Sequence, residues 1–329
     1  MAQNVNVRPA YQEIDGFILP RSFSSNCFRG TLTYKARDDD IFIVTFPKCG
    51  TTWVQHIVHN ILHKGKSFES FQDFQRYSPF MEMTGPEAAV RMPRPGAIKT
   101  HLPFHLNPYS PKAKYIYVAR NPKDTCVSFY YHTKMIPPYE FANGTFDEYF
   151  NIFINGENYF GDYFDHLLSW YEHRNDSNVL FITYEDMKID KRGAILKIAS
   201  FLGKEYEDML LTDEKLMEKI LFQTSVEYMK KYANDHMHSF LSGKSEDVEK
   251  NPYIPEGIQH INQYMKNNNI KPPEEVNFVR KAVVGDWKNH FTPEQSRILK
   301  EKFQEKTKGT DISNLWPNLH EDVKDDTII

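Results

Sequence analysis

A chain of 329 residues, 40% hydrophobic and 26% charged, can bury one large α/β core or two smaller ones, and its composition excludes a disordered protein. With 40 Lys and Arg against 44 Asp and Glu the formal charge is −4, which excludes broad nucleic-acid affinity but leaves room for a local cationic site. Three cysteines (Cys27, Cys49 and Cys126) without paired spacing suggest neither a disulfide framework nor a zinc site, and fit a reducing compartment.

The segment from Met1 to Asp15 is polar and lacks the apolar core of a secretory signal. No run approaches the ~18 apolar residues of a membrane span. A cytoplasmic protein without membrane association is expected. Ile41 to Phe46 is the continuous apolar run of a buried parallel strand. A short turn, Pro47-Lys-Cys-Gly50, leads into Thr51 to His63, where Trp53, Ile57, Val58, Ile61 and Leu62 share one helical side. Further strands are predicted at Ala97–Thr100, Lys114–Ala119 and Asn178–Thr183. Helices are predicted from Pro122 to about Met135 and from Ile189 to Phe201.

This alternation predicts an α/β fold, a single domain over residues 36–306 with a central parallel sheet flanked by helices. Residues 232–279 break the regularity, with one short amphipathic helix on Ile258, Ile261, Tyr264 and Met265. The polar tail, 307–329, is expected to be mobile or loosely packed. The 24 Phe and 19 Tyr fit an aromatic-lined pocket or an aromatic core equally well.

The segment Thr45-Phe-Pro-Lys-Cys-Gly-Thr-Thr-Trp53 places a strand, a glycine turn and a helix N-terminus in series. Backbone N–H groups and the helix dipole then form an anion cradle, to which Lys48 adds a charge and Thr51 and Thr52 add hydroxyls. A plain strand-to-helix turn with a solvated lysine is the alternative. It is not a Walker loop, because Lys48 precedes the glycine.

Pro47-Lys-Cys-Gly-Thr-Thr-Trp53 resembles the 5′-phosphosulfate loop of cytosolic sulfotransferases. Tyr117-Val-Ala-Arg-Asn-Pro-Lys-Asp-Thr-Cys-Val-Ser128 resembles that family's 3′-phosphate segment, and Arg280-Lys-Ala-Val-Val-Gly-Asp-Trp287 its late basic loop. Thr100-His-Leu-Pro103 and Thr183-Tyr-Glu-Asp-Met187 add shorter matches in the family's order. The resemblance implies a co-substrate, 3′-phosphoadenosine 5′-phosphosulfate, with the adenosine 3′,5′-bisphosphate (PAP) as product and no metal. Lys48, Cys49, Gly50, Thr51 and Thr52 would hold the 5′ side. Arg120, Ser128, Arg280 and Lys281, with Ala282 beside them, would grip the 3′-phosphate, where an Arg fork suits phosphate oxygens. Trp53, Tyr184 and Thr224 would contact the adenine. His101 is expected as general base for a small-molecule hydroxyl, with Lys48 and Lys99 stabilising charge on the transferring group.

The chain departs from the family's pattern in places. Cys49 stands where Ser is usual, and a thiol at a helix N-terminus beside Lys48 is expected to be acidic and open to alkylation. Val226 replaces an adenine-stacking Phe and Ala282 a Gly. The dimer motif is degraded in Lys288-Asn-His-Phe-Thr-Pro-Glu-Gln-Ser-Arg297, where Pro293 cannot donate a backbone hydrogen bond, so monomer and dimer both stay open. Between Met229 and Arg280 the chain is longer than usual by about two dozen residues, which predicts either a lid over the acceptor pocket (236–275) or a surface insertion.

The resemblance also places Phe17, Phe23, Phe80, Met83, Phe129 and Tyr131, together with Pro20 and Met135, near the acceptor, with residues 1–35 contributing. Phenols are the expected acceptors, and Glu140 could attract the amine of a phenolic monoamine or be a solvated loop residue. Two rivals stand beside this reading. A P-loop kinase would need a Walker lysine and acidic magnesium ligands, and neither is in place. A binding protein that has lost catalysis would not need Lys48, Lys99, His101, Arg120 and Ser128 together.

Overall fold

The computed structural model describes residues 7–242 and 254–320. Two short strands, β1 (Tyr11–Ile14) and β2 (Phe17–Pro20), form an antiparallel hairpin. Its turn is Asp15-Gly16, with φ of 53° and 82°. Two left-handed residues make the turn whose twist matches paired strands, and Asp-Gly is a preferred pair for it. The hairpin brings Phe17 and Phe23 onto the body of the domain.

The main sheet holds β3 (Ile41–Val44), β4 (Ile98–Thr100), β5 (Lys114–Ala119) and β6 (Val179–Thr183), all parallel, in the order β4-β3-β5-β6. Side chains alternate across it. Phe42, Tyr115 and Tyr117 face one side, with Phe42 stacked on Tyr115 at 5.0 Å and Tyr117 on Trp170 at 5.5 Å. Ile43, Ile116 and Val118 face the other and pack on Val54, Ile57, Val58 and Ile61 of the helix Thr51–Leu62. One face of the core is therefore aromatic, and burying such a ring contributes ~1.5–3 kcal/mol.

The chain passes from β3 to β4 on one side and returns to β5 on the other. Connections leaving β3 and β5 diverge, and a crevice opens beyond their carboxyl ends, where α/β sheets hold ligands. Thr45, Phe46, His101, Arg120 and Tyr184 all follow strand ends.

One expected helix gains a neighbour, and the expected loose tail needs correction. The helix predicted from Ile189 to Phe201 is present as Lys191–Leu202, and a short helix that was not predicted, Tyr184–Ile189, precedes it. Asp190 leaves helical geometry between them (φ −130°, ψ 82°), and its carboxylate accepts from Gly193 N–H as an N-cap. The tail up to residue 320 is not loose. Ile312, Trp316 and Leu319 are buried, the Trp316 indole donates to Glu185 Oε2 at 2.8 Å, and the Leu319 carbonyl accepts from the buried Lys123 ammonium at 3.0 Å. Three apolar anchors in a polar stretch suffice to dock it. Residues 321–329 lie outside the described residues.

The amphipathic helix expected around Ile258 is present as Glu256–Asn267, with Ile258 and Ile261 buried. Pro293 opens the helix Pro293–Lys306 at a position where its missing N–H costs nothing, behind a Thr292–Gln295 capping box. No described helix is long and apolar enough to cross a membrane.

Candidate active site

One cavity of about 270 Å³ lies beyond the strand ends. It gathers six cationic side chains: Lys48, Lys99, Arg120, Lys188, Arg280 and Lys281. Its only acids among the described residues are Asp124 and Asp286.

The turn after β3 has Lys48 at φ 71° and Gly50 at φ 102°, both left-handed. Gly50 is required here twice over, because a Cβ would also stand 3.0 Å from the Tyr184 ring. No side chain caps the helix that starts at Thr51, so its first N–H groups face the cavity end with the positive dipole. Lys48, Gly50, Thr51, Thr52 and Trp53 line the cavity. The Lys48 ammonium lies 4.1 Å from the Phe278 ring centroid, and burial with Lys99 and Arg120 nearby lowers its pKa to about 7.

Cys49 contradicts its expectation. Its side chain turns away from the cavity into the core, 1% exposed, with Sγ 3.6 Å from Thr125 Oγ1. Its backbone N–H is spent on the Phe46 carbonyl. Burial outweighs the nearby cations and pushes the thiol up to about 12. Cys27 and Cys126 are buried too. The native protein is therefore expected to resist iodoacetamide with or without nucleotide, as read by mass spectrometry. Rapid labelling of Cys49 in folded protein would contradict this packing.

His101 follows β4 and is 5% exposed. Its Nδ1 lies 2.7 Å from the Thr45 carbonyl oxygen. A carbonyl can only accept, so Nδ1 carries the proton and Nε2 keeps a lone pair. Burial and then the Lys99 charge hold the ring well below the usual imidazole range, hence neutral. Its backbone N–H donates to the buried Glu82 carboxylate, and Phe80 and Phe160 pack edge-on against the ring at 4.9 and 5.1 Å. Both its position and its tautomer are thus fixed. Lys99 stands 3.9 Å from the Phe80 centroid, and burial lowers it to about 8.

The cations expected for a 3′-phosphate converge from two distant segments. Arg120 is buried, its Nη1 donates to the Lys48 carbonyl at 3.0 Å, and its plane lies 4.5 Å from the Tyr184 ring centroid. Its Nε is sealed from solvent without a partner, so an anion in the cavity would meet the guanidinium at its Nη atoms. Arg280 and Lys281 both donate to Asp286, whose carboxyl they hold far below its usual range despite its burial. The Asp124 carboxylate accepts from Gly285 and Trp287 N–H at 2.7 and 3.0 Å and so ties this loop to the helix Pro122–Met135. Ser128 lines the cavity on that helix. Trp53 donates to the Thr224 carbonyl at 2.9 Å and meets Tyr184 edge-on at 5.5 Å, which fits these three residues sharing one wall.

Ala282 holds φ 56°, a left-handed conformation that costs an ordinary residue ~1–2 kcal/mol. Ala282→Gly is expected to raise stability by about 1 kcal/mol, after the glycine's larger unfolded-state entropy is allowed for. Denaturant titration measures it, and unchanged or lower stability would argue against strain there.

On the acceptor side Phe23, Phe80, Met83 and Met135 line the cavity as expected. Phe17 and Phe129 do not. Phe17 stacks on Phe28 at 5.4 Å, and Phe129 packs edge-on to Phe46 inside the core. Pro20 is likewise absent from the wall, as is Glu140, which instead accepts from Tyr264 Oη at 2.8 Å. Tyr131 lies under Arg280, 4.2 Å from ring centroid to guanidinium, so it borders the cations as much as the apolar wall. Sequence reasoning missed Phe278, His132, His56, Phe74 and Phe240 on the wall. Their signal was only the general surplus of aromatics, since no motif surrounds them. Val226 lines the cavity too. Among the described residues, no group of three or more His, Cys, Asp or Glu is placed to hold a metal.

The Sulfotransferase domain profile matches residues 38–261 and 258–311. The chain is 36% identical to the amine sulfotransferase of Oryctolagus cuniculus over 289 residues, covering 86% of this chain and 85% of that one. It is 34% identical to sulfotransferase 1C2 of Homo sapiens over 316 residues, covering 92% and 94%. Among solved structures it is similar to mouse sulfotransferase SULT7A1 complexed with PAP, at a TM-score of 0.69 and 30% identity, covering 94% of this chain and 98% of that one.

Proposed function

Because the chain belongs to the sulfotransferase family, we propose that it moves a sulfuryl group from 3′-phosphoadenosine 5′-phosphosulfate to the hydroxyl of a small, largely apolar molecule in the cytosol, with His101 as general base. The observation that carries this reading is the Thr45 carbonyl 2.7 Å from His101 Nδ1, which leaves Nε2 as a neutral proton acceptor in a cavity lined by lysines.

The residues divide the work by charge. Arg120, Arg280, Lys281 and Ser128 would hold the 3′-phosphate, and the Thr51 helix terminus with Lys48 the 5′ end. Cys49 drops out of this set as a side chain. In the transfer step the acceptor oxygen bonds to sulfur as the bond from sulfur to the bridging oxygen breaks. The hydroxyl proton passes to His101 Nε2, and Lys48 and Lys99 neutralise charge on the departing bridge and the equatorial oxygens.

The rabbit relative's name makes an amine a candidate acceptor. A cationic amine would want a free carboxylate, yet Asp124 and Asp286 are both engaged and Glu140 lies outside the wall. A neutral hydroxyl fits better. The helix Val226–Leu241 contributes Met229, Met237 and Phe240 to the wall, and Ile261 comes from Glu256–Asn267, which supports a lid role for this extended region. The middle of the expected lid, 243–253, lies outside the described residues.

Donor binding should take up protons. In the free protein Lys48 and Lys99 titrate near 7 and 8, so at pH 8 Lys48 is mostly neutral. A bound anion favours their charged forms and raises both values. Calorimetry of PAP binding in buffers of differing ionisation enthalpy is expected to show net proton uptake at pH 8 and little at pH 6, with affinity falling as pH rises. No uptake at pH 8 would contradict the depressed lysines.

The function itself is tested by turnover of sulfur-labelled donor with a panel of phenols, catecholamines, steroids and simple alcohols. Labelled sulfate ester is expected. PAP binding without transfer to any hydroxyl would leave a nucleotide-binding protein instead.

A further inference from the structure

We infer that His132 is a second polar anchor in the acceptor cavity, and that its Nε2–H receives a carbonyl or ether oxygen of the molecule being sulfonated. The enzyme would then select hydroxylated compounds carrying a second, hydrogen-bond-accepting oxygen. The inference rests on the transfer reading above and adds to it a substrate class.

His132 projects from the helix Pro122–Met135 into an otherwise apolar stretch of wall formed by Met135, Ile136 and Pro138. Three rings surround it: Phe129 at 6.2 Å, Tyr139 at 5.9 Å and Phe278 at 5.7 Å between centroids. Its Nδ1 is sealed from solvent and has no hydrogen-bond partner. Among the described residues nothing hydrogen-bonds its Nε2, which is not among the buried unpaired atoms, and His132 lines the cavity, so Nε2 opens on it.

A neutral imidazole carries one N–H. Placing that proton on Nδ1 would orphan a buried donor, whereas a lone pair there is tolerated more readily, so the proton belongs on Nε2. Burial and the charges of Lys48 and Lys99 keep the ring neutral, which supports this form. His101 and His132 therefore present opposite polarity to the cavity. His101 Nε2 accepts a proton and His132 Nε2–H donates a hydrogen bond.

Position adds a second constraint. The Phe278 ring that flanks His132 also lies 4.1 Å under the Lys48 ammonium, so His132 stands one ring away from the cation of the transfer site. A molecule held by both histidines presents its reacting hydroxyl to one and an acceptor oxygen to the other. An isolated polar group on an apolar wall sets orientation and selectivity more than bulk affinity.

The test uses matched pairs: a hydroxylated ketone and the same compound with the carbonyl replaced by methylene. Wild type is expected to favour the ketone by roughly 10–100-fold in kcat/KM, chiefly through KM, for at least one framework. In His132→Phe the preference should fall to within about 3-fold, while His132→Gln, which keeps an N–H donor, should retain part of it. A PAP-dependent thermal shift equal to wild type shows that each variant is folded. Should His132→Phe fail to fold, the Nε2–H resonance of wild-type His132 must move on adding the ketone and not its methylene partner. A ketone preference that survives in His132→Phe, or no preference in wild type for any pair, overturns the inference while leaving the transferase reading intact. No transfer to either member of any pair, nor to simple phenols, overturns both.

Discussion

His101→Ala is expected to lower kcat by roughly 10²–10⁴-fold, the usual contribution of a positioned general base. The side chain is 5% exposed and its Nδ1–H is committed to the Thr45 carbonyl, so only Nε2 is available for chemistry. Alanine removes that lone pair without touching a donor-site cation, and PAP affinity should therefore change by no more than about 3-fold, a small fraction of one charge-assisted hydrogen bond. The wild-type acid limb should lie well below pH 6.5, because burial and Lys99 depress the imidazole. Steady-state kinetics with labelled donor, alongside PAP titration, reads both quantities. Full activity in His101→Ala would remove the base from the mechanism.

Arg120→Met is expected to weaken PAP binding by about 10²-fold or more, since hydrogen bonds to charged groups are each worth ~1.5–3 kcal/mol. Arg120 is buried, lines the cavity, and braces the Lys48 carbonyl at 3.0 Å. The substitution would thus remove the proposed phosphate contact and loosen the neighbouring loop together, so kcat should fall as well as affinity. Arg120→Lys should be intermediate, because an ammonium restores charge but not the planar fork that reaches phosphate and carbonyl at once. Isothermal titration measures the affinities. PAP affinity unchanged in Arg120→Met would place the 3′-phosphate elsewhere.

The parts of the molecule that were legible share a property: their determinants are adjacent in the chain. Lys114–Ala119 and the helix ending at Met135 match their predicted limits because an apolar run and a helical period are local patterns. Lys48, Gly50, Thr51, Lys99, His101, Arg120, Arg280 and Lys281 were all identified from short motifs, and all reach one cavity. The hairpin at Asp15-Gly16 carries a local signal too, but a weak one, because its two strands are only four residues each.

The misses have long-range causes. Cys49 sits in the right loop, but its side-chain direction depends on Thr125, 76 residues away, and burial there reverses the expected acidity. Phe129, expected on the wall, packs in the core while Phe278, for which nothing was expected, lines the wall, because core and wall differ only by which partner arrives. The tail docks through Trp316 onto Glu185, 131 residues earlier, which its polar composition conceals.

The sequence by itself determined the parallel α/β fold, the cationic loops and the imidazole at the end of β4, since backbone periodicity and strand-turn-helix chemistry operate over a few residues. Only the tertiary structure decided which ring nitrogen of His101 is free, which way Cys49 points and that His132 lines the cavity. Each of those is set by a hydrogen bond, a burial or a ring contact between segments that meet only when the chain is folded.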